Sequence, residues 1–299
     1  MLGHEADTSS SALGELCDST DLLDDPESLR RRMDEDGYLF LRGYLDHDEV
    51  TAARHEVCRR LADMGVLDEA CSITEAIARP GAKGFYNPMP IVTDNRPLMK
   101  LLYAGRMIAF YEKLLGGAVR HFDFTWFRTQ VPGSQGTHPH CDVVYMGRGT
   151  QRLFTSWTPI GDAPLEDGPL AVMPGSHRIE KLRDRYGKHD VDVVCTNRRD
   201  ADGQAKMQSP TFGYLTRNPV RLRANLGLPY LTTDYQAGDL LVFTIHTIHA
   251  SFDNHGRRIR LSSDSRYQSV GEPADERWIS VGGRAPIAHG QNARRELIC

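Results

Sequence analysis

The run Gly238-Asp239-Leu240-Leu241-Val242-Phe243-Thr244-Ile245-His246-Thr247-Ile248-His249-Ala250-Ser251 decides how the rest of the chain is read. A Gly-Asp turn opens it, an apolar strand follows, and two imidazoles stand where the strand ends. Successive strand residues face opposite ways, so His246 and His249 point in opposite directions and only one of them can serve a given cavity. Asn254 and the basic strand Arg257-Arg258-Ile259-Arg260 come next.

The same texture recurs upstream. Short apolar runs at 121–127, 143–146, 153–157 and 170–173, with 240–245 and 259–263 in the later block, are expected strands separated by turns. Many short strands punctuated by Gly and Pro predict a mainly β domain, a double-sheet sandwich or barrel. Helices precede it. A short one from Pro26 to Met33 ends at Gly37, before the apolar strand Tyr38–Leu41. Asp46 and Glu49 form a capping box, and Val50, Ala53, Val57, Leu61 and Met64 follow at helical spacing. A second amphipathic helix is expected from about Pro97 to Leu115, stopped by Gly116-Gly117.

The chain has 299 residues, net charge −4 and 40% hydrophobic content, the profile of one large soluble domain. Residues 1–40 hold eleven acidic and three basic side chains, leaving about +4 on the remainder. Residues 1–25 are therefore expected as a flexible acidic tail ahead of a single domain over 26–299. A polar, basic stretch at about 178–237 lacks a clear period and is expected as a lid-like insertion. No Lys/Arg cluster with interleaved aromatics points to nucleic acid. No signal peptide or membrane span is visible, and the six cysteines show no C-x-x-C pairing; a reduced, cytoplasmic protein is the expectation. Oligomeric state is not legible.

The chemistry begins at Thr137-His138-Pro139-His140-Cys141-Asp142. On a strand His140 and Asp142 share a face and Cys141 takes the other, so the pair supplies two ligands of a metal that still needs a third. Two imidazoles and one carboxylate on one face of an octahedral metal leave three positions open, the facial triad of non-heme Fe(II) oxygenases. Those positions can hold a chelating 2-oxo acid together with dioxygen. The far carboxylate of such a co-substrate is best bound by an Arg fork, for which Arg260 is the natural candidate.

Several blocks in this order resemble the phytanoyl-CoA dioxygenase family of Fe(II)/2-oxoglutarate-dependent oxygenases. They are Asp36-Gly37-Tyr38-Leu39-Phe40-Leu41-Arg42-Gly43, the His140-x-Asp142 pair, Ser156-Trp157-Thr158, Asp167 through His177, and Gly238-Asp239 through His249-x-Ser251 to Arg260. The resemblance implies a double-stranded β-helix, a cupin-like jelly roll with flanking helices, over about residues 34 to 268. It implies iron on His140, Asp142 and His249, and 2-oxoglutarate on Arg260 with Ser251 as partner and Trp157 beside it. Thr137 and Arg128 are further candidates for that pocket. The implied reaction is hydroxylation of an unactivated C–H bond of a small organic substrate, with release of succinate and carbon dioxide. Asp142 favours hydroxylation over halogenation, because halogenating relatives carry a small residue at this position to admit chloride.

Three other readings stand beside it: a zinc hydrolase on the same three ligands, a non-catalytic metal-binding jelly roll, and a cysteine-dependent enzyme using Cys141. Arg148 and Arg266 offer themselves to a substrate anion but read by default as solvated, and His138 reads as wall at the mouth of the pocket.

Overall fold

The computed structural model describes residues 1–5, 7–83, 89–192 and 213–286. The middle of the expected insertion (193–212), with Cys195, and the C-terminal residues 287–299, with His289 and Cys299, lie outside the described residues.

Ten strands among the described residues build two facing sheets. In chain order they are β1 Leu13–Glu15, β2 Tyr38–Leu41, β3 Val119–His121, β4 Trp126–Gln130, β5 Phe154–Pro159, β6 Leu170–Val172, β7 Tyr230–Thr232, β8 Leu240–Thr244, β9 His249–Ser251 and β10 Arg260–Ser269. The larger sheet runs β2-β8-β5-β10-β3 with β4 also on β10, and the smaller one β1-β7-β6-β9. This is an open jelly roll, a double-stranded β-helix whose sheets do not close into a barrel.

Strand alternation sorts the larger sheet. Leu39, Leu41, Leu240, Val242 and Leu261 pack under the helices. Tyr38, Phe40, Leu241, Phe243 and Trp157 face inward against Leu170 and Val172 of the smaller sheet. Strand β10 breaks the usual rule: on the face where its neighbours are apolar it carries Arg260, Ser262, Asp264 and Arg266, all buried. Charged groups so placed need partners, and those partners define the site.

The helices are α1 Pro26–Asp36, α2 His47–Asp63, α3 Met89–Val92, α4 Arg96–Tyr103, α5 Gly105–Leu115, α6 Val143–Met146, α7 Glu180–Asp184 and α8 Pro219–Leu226. Asp46 caps α2 by accepting from the backbone N–H groups of Asp48 and Glu49. None of the described helices is long and apolar enough to cross a membrane.

Several expectations change. The run 121–127 is not one strand: β3 ends at His121 and β4 begins at Trp126, and between them Asp123 donates its N–H to the Trp278 carbonyl. His246 and His249 do not share a strand, because a turn separates β8, ending at Thr244, from β9. The helix expected over Pro97–Leu115 is two, because Ala104 is extended (φ −143°, ψ −177°) and the following Gly105 takes φ +53°, so the hydrogen-bond ladder restarts. The run Val143–Met146 is one helical turn and not a strand; a four-residue apolar stretch carries no decisive period, and Asp142 already has helical φ/ψ. The front segment packs on the body, with β1 parallel to β7 and Met1 and Leu2 buried, because its sparse apolar residues reach the core between acidic ones. The insertion is not without order where it is described: it holds α7, α8 and β7, the last an interior strand of the smaller sheet.

Candidate metal centre

Strand β9 delivers His249, and an isolated antiparallel bridge pairs it with His140. The two residues exchange backbone hydrogen bonds of 3.1 and 3.0 Å. Their rings consequently lie side by side, with centroids 4.1 Å apart. Asp142 follows as the residue preceding α6, and its Oδ1 lies 3.7 Å from Nε2 of each histidine. One ligand atom from each of His140, Asp142 and His249 falls within 4.8 Å of the other two, and all three residues are buried.

Convergence here does not come from regular strand alternation. His140 meets β9 through that single isolated bridge and belongs to no strand, and the turn into α6 swings the Asp142 carboxylate back toward the imidazoles. Cys141 still ends on the other side, buried among Val143, Val144 and Ile248. Burial pushes its thiol pKa far up, which removes the thiolate a nucleophile requires.

The protonation pattern suits a metal. Nδ1 of His140 is 2.7 Å from the His138 carbonyl, and Nδ1 of His249 is 3.1 Å from the Thr247 carbonyl. A carbonyl only accepts, so each Nδ1 carries the proton and each Nε2 offers its lone pair toward Asp142. Burial, reinforced by the neighbouring His249, lowers the His140 pKa to about 3, and burial lowers that of His249. Both rings are neutral and ready to ligate at neutral pH. Burial would raise the Asp142 carboxyl, but the Arg266 guanidinium and the Thr155 hydroxyl hold it well below the ordinary carboxylate range. Its outer oxygen, Oδ2, accepts from Thr155 Oγ1 at 2.6 Å and from Arg266 Nη2 at 3.0 Å.

A cavity of about 310 Å³ opens in front of the triad. Arg128 and Thr137 line it, as do Trp126, His138, Tyr145 and Arg266. The His138 ring stacks on Tyr214 with centroids 4.3 Å apart. Arg128 donates from Nε to Asp264 at 2.7 Å, and that carboxylate raises its pKa. His246 faces elsewhere, into a separate cavity of about 460 Å³ beside α1 and the end of α5.

Arg260 sits deeper, 4% exposed. Its guanidinium meets neutral acceptors: Gln130 Oε1, Ser262 Oγ and, at 3.2 Å, the carbonyl of Gly168. Among the described residues no carboxylate lies within ion-pair distance of it. Burial, and the like charge of Arg128, lower its pKa to about 10, so it remains cationic. The cation lies over Trp157, 5.8 Å from the ring centroid. Ser251 is opposite Leu170 in the β6–β9 ladder, two residues along from Gly168, and its hydroxyl accepts from the Thr137 N–H at 2.7 Å. The neighbouring Arg258 is already paired with Asp167 at 2.9 Å.

Sequence reading missed Arg266, Asp264, Thr155 and Gln130. The signal was present: Asp264 and Arg266 share strand parity with Arg260, Thr155 with Trp157, and Gln130 with Arg128. Register completes it, since Arg266 lies opposite Thr155 and Arg260 opposite Gln130.

The family model for phytanoyl-CoA dioxygenase matches residues 33–262. The chain is 26% identical over 272 residues to the 1-deoxypentalenic acid 11-beta-hydroxylase of Streptomyces exfoliatus, spanning 86% of each protein. It is 25% identical over 264 residues to the enzyme of that name from Streptomyces arenae, spanning 84% of each. Among solved structures it resembles the epimerase SnoN in complex with Fe3+, alpha ketoglutarate and nogalamycin RO, with a TM-score of 0.56 at 20% identity over 92% of this chain and 98% of that one. It also resembles EctD from S. alaskensis with 2-oxoglutarate and 5-hydroxyectoine, with a TM-score of 0.56 at 18% identity over 90% and 86%. These structural likenesses establish a shared fold.

Proposed function

The chain belongs to the phytanoyl-CoA dioxygenase family, and from that premise we propose that its buried triad and its buried Arg260 form one oxygenase site. The protein is an Fe(II)- and 2-oxoglutarate-dependent dioxygenase. In our reading His140, Asp142 and His249 hold the iron, and Arg260 with Ser251 takes the far carboxylate of 2-oxoglutarate beside Trp157. Thr137 and Arg128 form the wall between the co-substrate and the cavity. When bound, iron and 2-oxoglutarate supply the oxidising chemistry: dioxygen decarboxylates the co-substrate to succinate and carbon dioxide, and its second oxygen atom goes to the substrate.

The protein's own residues do the rest. The Nδ1–H groups anchored on carbonyls keep both imidazoles in the tautomer that ligates through Nε2. Trp126, Tyr145 and the His138–Tyr214 stack present apolar faces to a substrate and limit water around the ligands. Those rings share the wall with Arg128 and Thr137, a mixture that suits a small organic acid, as the substrate in the relatives' name is, and we read the reaction as hydroxylation of an unactivated C–H bond.

One observation carries this reading over its rivals. Arg260 is a buried cation whose direct partners are all neutral, an expensive arrangement unless an anion completes it. Neither a zinc hydrolase nor a passive metal binder on the same triad needs an anion there. A succinate assay with a panel of small terpenoid and other apolar carboxylic acids tests the reading. Succinate release that requires Fe(II), dioxygen and 2-oxoglutarate and disappears in His140→Ala is expected. Hydrolytic turnover of such compounds or their esters without 2-oxoglutarate or dioxygen would overturn it.

A further inference from the structure

Arg266 is the feature that the family reading does not explain. It projects from the inner face of β10 with its side chain 2% exposed. Its Nη2 donates to Asp142 Oδ2 at 3.0 Å and stands 3.9 Å from Asp264 Oδ2. Trp126 covers the guanidinium plane, with the ring centroid 4.0 Å from the central carbon. Asp264 in turn accepts from Arg128 Nε at 2.7 Å. An unbroken chain of alternating charge thus runs from the cavity wall inward, Arg128 to Asp264 to Arg266 to Asp142.

The two oxygens of Asp142 are therefore unequal. Oδ1 faces both Nε2 atoms at 3.7 Å, while Oδ2 is occupied by Arg266 and by Thr155 at 2.6 Å. A carboxylate free at both oxygens can chelate a metal and fill a fourth coordination position. With 2-oxoglutarate taking two more, no position would remain for dioxygen, whereas a one-oxygen carboxylate leaves three positions open. A charge-assisted hydrogen bond from a stacked, immobile guanidinium is among the strongest ways to keep Oδ2 away from the metal.

We propose that Arg266 is a positioning residue that confines Asp142 to one-oxygen ligation and so keeps a coordination position free for dioxygen. Thr155 assists it, and Asp264 and Trp126 hold the guanidinium in place. The inference rests on the iron reading given above, and its test is arranged to separate the two.

The test compares wild type, Arg266→Met, Arg266→Lys and Thr155→Val by three readouts: melting of the metal-free protein, the visible band and 2-oxoglutarate affinity of the anaerobic Fe(II) complex, and the rate at which dioxygen bleaches that band. Absence of the band in wild type means that the iron reading itself fails. With the band present in wild type, Arg266→Met is expected to shift it and to slow bleaching about tenfold or more, with 2-oxoglutarate affinity changed less than about threefold. Arg266→Lys keeps one charged donor and falls between. If Arg266→Met does not fold, Thr155→Val is expected to move band and bleaching rate in the same direction by a smaller factor. An unmoved band with unchanged bleaching, or a slowing matched by an equal loss of 2-oxoglutarate affinity, would overturn the proposal.

Discussion

His140 and His249 are a cross-strand pair: each donates its backbone N–H to the other's carbonyl, at 3.1 and 3.0 Å. Two prospective ligands from distant parts of the chain are thereby locked before any ion arrives, and Asp142 needs only a short turn to join them. A preformed site of buried neutral imidazoles and one carboxylate binds metal to the folded state alone, so metal raises stability by mass action. At a free metal concentration one hundred times Kd the gain is about 2.7 kcal/mol. Differential scanning fluorimetry under argon with Fe(II), or with Co(II) as a stable substitute, is expected to show that gain in wild type. Asp142→Ala and His249→Ala should lose it, and equal shifts in those variants would contradict the assignment.

The anion site is tested at Arg260. A fork-like contact with a carboxylate contributes about 1.5–3 kcal/mol, so Arg260→Ala should weaken 2-oxoglutarate binding by roughly tenfold to a hundredfold. Arg260→Lys keeps the charge but loses the paired donors, and it should remain clearly impaired. Titration of the anaerobic Fe(II) protein measures both. Unchanged affinity in Arg260→Ala would move the anchor elsewhere, with Arg128 on the cavity wall the next candidate, because Arg257 is exposed and Arg258 is engaged by Asp167.

His246 predicts an acid sensitivity of the fold. Burial, with Arg183 and His177 nearby, lowers its pKa to about 4. In the unfolded chain it titrates near the ordinary value of about 6.5, so between those two values the unfolded state binds more protons. Stability is therefore fully present above about pH 6.5 and is lost as pH falls toward 4. Thermal melts at pH 7 and pH 4.5 should show a smaller loss in His246→Gln than in wild type. An identical loss in both would show that His246 contributes nothing to it.

Gly136 makes a prediction about packing beside the site. A Cβ built there collides with the carbonyl oxygens of Ser251 and Phe252, and backbone cannot yield as a flexible side chain can. Gly136→Ala should lower stability by about 1–3 kcal/mol, the range of a strained substitution, and should weaken metal binding by displacing β9 and with it His249. Denaturant unfolding and Co(II) titration of the same variant test both halves. Wild-type values would mean that the loop preceding Thr137 can move aside freely.

Most of the site was readable as residue types in order. Apolar runs marked most of the strands, and spacing from the Gly-Asp turn, with Ser251 two residues on, favoured His249; parity could not decide, because a turn after β8 puts His246 outside any strand. What escaped has physical reasons. Val143–Met146 is too short to carry a period, so a strand and a helical turn read alike. The break at Ala104 depends on one extended backbone conformation, which composition does not express. Arg266 was passed over because a charged residue on a strand is ordinarily solvated; only the register of β10 against β4 and β5 shows that its face is the sandwich interior. Packing of the front segment rests on a few apolar residues such as Met1 and Leu16 set among acids, and average charge concealed them.

The central claim is that His140, Asp142 and His249 hold iron while Arg260 holds 2-oxoglutarate against it. Absorbance of the anaerobic protein on addition of Fe(II) and then 2-oxoglutarate tests it most directly, since it needs no prime substrate. The account predicts a weak visible charge-transfer band that saturates with 2-oxoglutarate, is absent in Asp142→Ala, and requires far more 2-oxoglutarate in Arg260→Ala. A flat difference spectrum from folded, iron-loaded wild type would contradict it.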